Sequence, residues 1–545
     1  MLWGVFSAPF TRPEPVRGLL SQQAVQSPVL KWQRGGCYSS WCETGWYSSP
    51  AVADLDSDGA PEVIASAYSI VALDGATGAL EWRVASGYDR ASPGASSVGR
   101  TWPGIVIADV DGNGDLEIVT AHGGGWVSVY NHLGYFEPGW PQRPTSSELR
   151  GLSTADLEND GSLEIIVTAA ISSRTNTWVL EHTGVVRSGW PQLNNDSGYA
   201  WGVYNANVAV GDLDGDSLAE LVVPSDVHYI CAYEANGIQM PASSIYGANK
   251  AWGKVGVWEN LAVELRGWGT CEAGDPRAER YRPNFAHGAA LIADFDGNGL
   301  NEVAVVGNVY DCIPGYPSRY NGPFLFNADR SRFNASGFDW SSTPMDTGAP
   351  VSEDYNVIEN NQPNPVAADL DGDGGLELLF SSYDGRVHAF WLDKTEHGAW
   401  PFSVYSPAEG TYRFASEPAV ADLDNDGHAE VIFASWTQKG SNKTGKLHVL
   451  DYLGNPLHEV NLPLAFGSAN WNGALAAPTL ANIDADPDLE VALNTAHSGI
   501  VAYDLPGTGA ARLLWQTGRG NYWRDASPLR WVTASHRSLL PLLYR

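Results

Sequence analysis

An apolar strand, a loop with acids at alternate positions and a second apolar strand recur eight times in this chain, and no other feature narrows its folds so far. The copies are ADLDSDGAPEVIAS from Ala53, ADVDGNGDLEIVTA from Ala108, ADLENDGSLEIIVT from Ala155 and GDLDGDSLAELVVP from Gly211. They continue with ADFDGNGLNEVAVV from Ala293, ADLDGDGGLELLFS from Ala368, ADLDNDGHAEVIFA from Ala421 and ANIDADPDLEVALN from Ala481. Length alone, 545 residues, would suggest three or four domains, but internal repeats overrule that expectation.

Side chains bearing oxygen fall at loop positions 1, 3, 5 and 9. They are Asp54, Asp56, Asp58 and Glu62; Asp109, Asp111, Asn113 and Glu117; Asp156, Glu158, Asp160 and Glu164; and Asp212, Asp214, Asp216 and Glu220. The second half supplies Asp294, Asp296, Asn298 and Glu302; Asp369, Asp371, Asp373 and Glu377; Asp422, Asp424, Asp426 and Glu430; and Asn482, Asp484, Asp486 and Glu490. A hard cation of calcium's size takes six to eight oxygens, and a tight loop with alternate residues turned inward supplies them. Position 6 is usually Gly, which tolerates the positive φ such a turn needs.

In an EF-hand the last ligand sits at position 12 between two helices, whereas here Glu stands at position 9 between strands. Acidic, Gly-rich loops also make good hairpin turns, but turns alone do not need acids at alternate positions followed by a Glu four residues later. Carboxylates this close repel one another unless a cation neutralises them, so the expected Ca2+, up to eight ions, is structural. Eight divalent ions would bring the formal charge of -31 to about -15. The weaker copies have Asn113 and Asn298 at position 5, Asn482 at position 1, and Ser217 or Pro487 at position 6.

A third apolar segment and a fourth, often with Trp, follow each hairpin: Leu80-Glu81-Trp82, Gly139-Trp140-Pro141, Gly189-Trp190-Pro191, Ala399-Trp400-Pro401 and Leu514-Trp515. Four short strands per repeat make an antiparallel blade. Motif starts lie 55, 47, 56, 82, 75, 53 and 60 residues apart, a spacing that suits propeller blades with two long insertions. The expectation is an all-β chain, a β-propeller of eight four-stranded blades, with seven as the alternative. It divides into an N-terminal extension over 1–28, the propeller over 29–525 and a C-terminal tail over 526–545. Val29-Leu30-Lys31-Trp32 resembles the fourth-strand segments and is expected to help close the ring beside the C-terminal Leu514-Trp515. The blade tryptophans read as core between blades.

These loops resemble the FG-GAP or VCBS repeat family, which includes the integrin α-subunit head, over roughly residues 29 to 525. The signature is the D-x-[DN]-x-[DN]-G-x-x-[DE] loop quoted above. The resemblance implies that Asp54, Asp56, Asp58, Glu62 and their equivalents ligate calcium, with a backbone carbonyl at position 7. Glu throughout at position 9 and the lack of clear FG and GAP phrases depart from the integrin pattern.

Calcium loops joining first and second strands would all lie on one face. The opposite loops are rich in aromatics, and Trp41, Trp46, Trp102, Trp201, Tyr204, Trp252, Trp258, Tyr412 and Trp471 are the candidate ligand-binding residues. Rigid rings beside Asn, Asp, Gly and Ser suit a sugar or a protein partner, and they equally suit packing inside the loops. Catalytic motifs are absent: no nucleophile elbow, no H-E-x-x-H, no P-loop and no histidine cluster with metal spacing. His122 and His287 lie near blade-to-blade loops, where a lone His is usually a satisfied structural residue.

Three functions follow: a calcium-dependent binding or adhesion module for a glycan or surface protein, a lyase-like enzyme on polysaccharide, or a self-assembling surface protein. The charge points away from nucleic acid, and no window approaches the roughly 20 apolar residues of a transmembrane segment. Loops of this kind fill at extracellular calcium, so the expected location is secreted or at the cell surface. The first 28 residues hold a short apolar start, MLWGVF, without the basic and long apolar regions of a secretory signal. Cys37 with Cys42, and Cys271 with Cys312, could pair under oxidising conditions, whereas Cys231 reads as a small buried hydrophobe.

Overall fold

In all eight copies the residue before the loop pairs with the Glu at position 9: Ala53 with Glu62, Ala108 with Glu117, Ala155 with Glu164 and Gly211 with Glu220. Ala293 with Glu302, Ala368 with Glu377, Ala421 with Glu430 and Ala481 with Glu490 complete the set. One register repeated eight times makes eight superimposable hairpins. In seven of the eight the second strand is buried from end to end, as in Glu62–Ser66, Glu164–Ala169 and Glu430–Thr437, because both faces of the blade are covered by neighbouring blades. This explains why these strands read as unbroken apolar runs. The computed structural model describes residues 24–35, 47–66, 68–169, 171, 175–192, 208–225, 229–256, 281–311, 318–344, 350–352, 354, 356–357, 362–528 and 532–533. Among the described residues there is no α-helix.

Every hairpin gains a third strand, such as Ser69–Asp74, Val127–Tyr130 or Lys446–Leu450. The fourth is a full strand in blade 1 (Leu80–Ala85) and blade 7 (Pro456–Asn461) and a short one in blade 6 (Phe402–Ser403). In blades 2 to 4 it shrinks to isolated bridges such as Val127 with Gln142, Thr177 with Gln192 and Tyr229 with Lys254. Blade 8 takes its fourth strand from the other end of the chain, where Val29–Arg34 pairs with Ile500–Leu505. The all-β, eight-bladed propeller is therefore the fold.

Tryptophans tie successive blades together. The indole Nε1–H donates to a carbonyl in the next blade, from Trp82 to His132 at 2.9 Å, Trp140 to His182 at 2.9 Å, Trp190 to Ala235 at 3.0 Å and Trp252 to Ala328 at 2.8 Å. Trp340 reaches Leu392 at 2.9 Å and Trp400 reaches Tyr452 at 2.9 Å. Trp32 in blade 8 reaches Gly75 in blade 1 at 2.7 Å and closes the ring.

Trp515 departs from the expectation. Arg512–Trp515 is no fourth strand but pairs with Ala419–Asp422, the inner strand of blade 7, and begins a hairpin that fills the central channel. The channel is lined by inner-strand edges whose amides need acceptors. The plug provides them: Leu480 N–H bonds to Gln516 O at 2.9 Å, Thr154 N–H to Trp523 O at 2.9 Å, and Val210 N–H to Asp525 O at 2.9 Å. Arg524 is wholly buried in it, donating to the carbonyls of Ile105 at 2.9 Å, Gly518 at 2.6 Å and Pro50 at 2.9 Å.

Candidate metal centres

The acidic loops are built on three recurrent hydrogen bonds, of which loop 8 keeps two. The Glu at position 9 turns one oxygen, Oε2, to the amide of position 2. Distances run from 2.7 Å at Val110 to Glu117, Leu213 to Glu220 and Leu370 to Glu377 up to 2.9 Å at Phe295 to Glu302 and Ile483 to Glu490. Leu55 to Glu62, Leu157 to Glu164 and Leu423 to Glu430 stand at 2.8 Å. The position-5 side chain accepts the amide of position 7 in every loop, and Asn113 (2.7 Å from Asp115) and Asn298 (2.8 Å from Leu300) do so as well as the aspartates.

The Asp at position 1 accepts the amide of position 6, as Asp54 does from Gly59 at 2.9 Å and Asp294 from Gly299 at 2.8 Å. Position 6 holds a positive φ in seven loops, +75° even for Ser217. Loop 8 lacks this bond, because Pro487 has no N–H. There Asn482 replaces the acid and donates its side-chain amide to the Asp486 carbonyl instead.

These bonds leave other carboxylate oxygens converging on one point. One atom each from Asp54, Asp56 and Asp58 lies within 4.8 Å of the others, and the same holds for Asp109, Asp111 and Glu117, for Asp212, Asp214 and Glu220, and for Asp294, Asp296 and Glu302. Several loop carboxylate oxygens are buried and have no hydrogen-bond partner: Asp54 Oδ1, Asp109 Oδ1, Glu220 Oε1 and Asp424 Oδ1. An orphaned buried carboxylate oxygen is costly, and a cation is the partner that suits it. Burial pushes the position-9 carboxyls up, to about 8 for Glu62 and Glu430 and about 9 for Glu377. The position-2 amide lowers each one, and the neighbouring aspartates raise it further. The arrangement fits a divalent ion.

Loops 3 and 8 differ. In loop 3 the longer Glu158 stands at position 3, and the Arg187 guanidinium pairs with Glu158, Glu181 and, at 3.6 Å, Glu164 Oε1. In loop 8 the Lys31 ammonium pairs with Asp484 and, at 2.7 Å, Glu490 Oε1.

At the opposite ends of the strands the aromatic expectations divide. Trp252 is fully buried and is the blade 4 counterpart of Trp82, so its place among loop residues is corrected. Trp102 is corrected too: it is buried, stacked on Tyr47 at 4.0 Å, with the guanidinium groups of Arg100 at 4.5 Å and Arg150 at 4.3 Å over its ring. Tyr412 and Trp471 are half-buried; Tyr412 lies 5.8 Å from Tyr405, and Trp471 meets His497 edge-on at 4.7 Å. Trp41, Trp46, Trp201, Tyr204 and Trp258 lie outside the described residues, as do Cys37, Cys42, Cys271 and Cys312. His122 is buried between Thr101 at 3.1 Å and Thr120 at 2.7 Å, and burial lowers its pKa to about 3, so it is a satisfied neutral residue. Cys231 is buried, with the Gln239 side-chain amide 3.9 Å from its sulfur.

The fold and its acid-looped hairpins define a β-propeller, and in two stretches its repeats match the FG-GAP-like repeat. A family profile for the FG-GAP-like repeat matches residues 109–167 and 369–433, which span the loops of blades 2, 3, 6 and 7. Among curated proteins the chain is similar to Cartilage acidic protein 1 of Mus musculus, 24% identical over 364 residues, 64% of this chain and 50% of the relative. The chain thus spans about half the length of that relative. Among solved structures it resembles the rhamnogalacturonan lyase YesW, with a TM-score of 0.51 and 16% identity over 94% of this chain and 84% of the lyase. It also resembles the exotype rhamnogalacturonan lyase YesX, with a TM-score of 0.50 and 15% identity over 95% and 84%. At such identities the likeness concerns the fold alone.

Proposed function

We propose that this chain is a calcium-stabilised binding module that works outside the cytoplasm and engages a glycan or a surface protein through the face opposite its acidic loops. The observation that carries the calcium reading is the set of buried loop carboxylate oxygens without a hydrogen-bond partner, Asp54 Oδ1, Asp109 Oδ1, Glu220 Oε1 and Asp424 Oδ1, in loops whose position-9 Glu is fixed by a backbone amide through its other oxygen. The ligands would be the side chains at positions 1, 3, 5 and 9. The ion would supply positive charge that holds the two ends of each hairpin loop together, a structural and not a catalytic task. Oxygen-only loops of this kind fill at millimolar calcium, which favours a secreted or surface location.

The half-exposed Tyr405, Tyr412 and Trp471 support the binding reading, since they offer rigid apolar area on the face opposite the acidic loops. A glycan array and a binding assay with extracellular-matrix extracts, run with calcium and with chelator, test it. Calcium-dependent retention lost in a Tyr412→Ala, Trp471→Ala double variant is the expected result, and retention unaffected by that variant overturns the proposed face. Because rhamnogalacturonan lyases share the fold, absorbance of an unsaturated product on a pectic backbone is the assay that would favour the enzyme reading instead.

A further inference from the structure

The eight loops are not electrostatically equivalent, and the difference lies in residues outside the repeated phrase. In blade 1 the fourth strand carries an extra residue, Glu81, between Leu80, paired with Leu73, and Trp82, paired with Ala72. Burial raises the Glu81 pKa, and Asp74, Asp56 and Asp58 raise it further, so the bulged side chain feels the acids of loop 1. Blade 8 has the same bulge: Leu30 pairs with Tyr503, Trp32 with Ala502, and Lys31 is the extra residue. At one structural position, immediately before the inter-blade tryptophan, blade 1 therefore has an acid and blade 8 a base.

Blades 2 and 3 show the same reversal at another position. Glu137 and Arg187 each stand three residues before the inter-blade tryptophan. Each donates its amide to the third strand, Glu137 to Val129 at 3.0 Å and Arg187 to Val179 at 2.9 Å, and each accepts the tryptophan amide at 3.1 Å. Burial raises the Glu137 pKa and the acids Asp111 and Asp115 of loop 2 add to the rise. Arg187 instead brings a positive charge to Glu158, Glu164 and Glu181, whose oxygens lie within 4.8 Å of one another.

The target atom is the same in both blades. Oε2 of the position-9 Glu is bound to its backbone amide, at 2.8 Å in loop 3 and 2.9 Å in loop 8. Oε1, which in blade 4 is buried with no partner, takes the Lys31 ammonium at 2.7 Å in blade 8 and lies 3.6 Å from the Arg187 guanidinium in blade 3. The loops have changed in step. Loop 8 has lost its position-1 acid to Asn482 and its position-6 amide to Pro487, and loop 3 has Glu158 in place of the short Asp, long enough to reach the guanidinium. Arg512 in blade 7 is a different case. It pairs with Asp422 Oδ2, the oxygen that already accepts Gly427 N–H at 3.0 Å, and it leaves Asp424 Oδ1 unpartnered.

From these three coincidences, position, target oxygen and loop sequence, we infer that Lys31 and Arg187 are built-in cations that replace calcium in loops 8 and 3. The inference rests on the calcium reading of the other loops. Six of the eight loops are then metal sites, and two are neutralised by the chain itself. Blade 8 is the blade completed by the N-terminal strand, so Lys31 also couples ring closure to the charge balance of the last loop. That junction stays closed in the absence of calcium.

Native mass spectrometry of the calcium-saturated protein, with Asp56→Asn and Asp484→Asn variants beside the wild type, tests this. The expected result is six ions bound to the wild type, one ion fewer in Asp56→Asn, and an unchanged count in Asp484→Asn, which loses thermal stability with or without chelator. Eight ions, with one lost in each variant, would overturn the inference while leaving the calcium reading intact. No stoichiometric ions at all would overturn the calcium reading and the inference with it. A Lys31→Met, Arg187→Met double variant gives a second route: if it folds it should lose stability without gaining ions in loop 8, where Asn482 and Pro487 remain. Melting identical to wild type in calcium would contradict the proposed role.

Discussion

Glu220 gives one carboxylate oxygen to the amide of Leu213, 2.7 Å away, and buries the other without a hydrogen bond. The first bond closes the hairpin loop and the second oxygen awaits a cation, so two kinds of stability can be separated at this residue. Glu220→Gln keeps an oxygen for Leu213 but removes the charge. In chelator it should melt near the wild type, whereas in calcium it should fall below it. Glu220→Ala removes both and leaves a buried N–H unsatisfied, at a cost of about 1–3 kcal/mol even in chelator. Denaturant titrations of both variants, with and without calcium, check the separation.

The tryptophan relay makes a second expectation. Trp140→Phe retains most of the buried ring but leaves the His182 carbonyl without its donor, and should cost about 1–2 kcal/mol. Trp140→Ala opens a cavity between blades 2 and 3 and should cost about 3–5 kcal/mol. A Trp140→Phe variant as stable as the wild type, read by chemical unfolding, would show that packing alone holds the junction, and equal losses for the two variants that the hydrogen bond alone does.

Arg524 anchors the channel plug to blades 1 and 2 through the carbonyls of Pro50 and Ile105, and to its own turn through Gly518. Arg524→Met should therefore release inner-strand amides such as those of Leu480 and Thr154 to solvent. Faster hydrogen exchange at these amides, with the acidic loops unaffected, is the expected pattern. Exchange unchanged across the inner strands would mean the plug is ornamental.

His388 gives the pH dependence. Burial alone would lower its pKa, but contacts with Asp384 at 3.2 Å and Glu396 at 3.0 Å overcome this and raise it to about 9. Because the folded pKa lies above the unfolded one, the contribution is complete below about pH 6.5 and fades as pH rises through about 9, on the order of 3 kcal/mol in all. The difference in unfolding free energy between wild type and His388→Gln should shrink over that window. A difference independent of pH would contradict a charged His388.

The hairpins were readable because every determinant of the loop lies within nine residues of its partner. The inter-blade role of Trp82, Trp140, Trp190 and Trp400 was readable from repetition. Trp515 shares the Leu-Trp spelling but is a plug residue, since local sequence does not say whether the strand it lies in joins a blade edge or an inner edge. Trp252 was not legible as an inter-blade residue because it lies 15 residues beyond the Gly237 turn, where Trp140 follows Gly134 by six, and only its bond to Ala328 reveals its place in the relay. Lys31 went unnoticed as a loop cation because Glu490 lies 459 residues away and only ring closure brings them together. Arg187 was nearer, and its signal was present: a base where blade 2 has Glu137, beside the one loop with Glu at position 3.

Thermal unfolding of the full chain in calcium, in magnesium and in chelator is the most direct test of the calcium reading. The account predicts a large fall in melting temperature on chelation, restored by calcium and not by magnesium, whose small octahedral shell a flexible carboxylate loop does not match. A melting temperature indifferent to chelator would mean that the acidic loops are turns only, and the calcium assignment and the extracellular reading built on it would both be wrong.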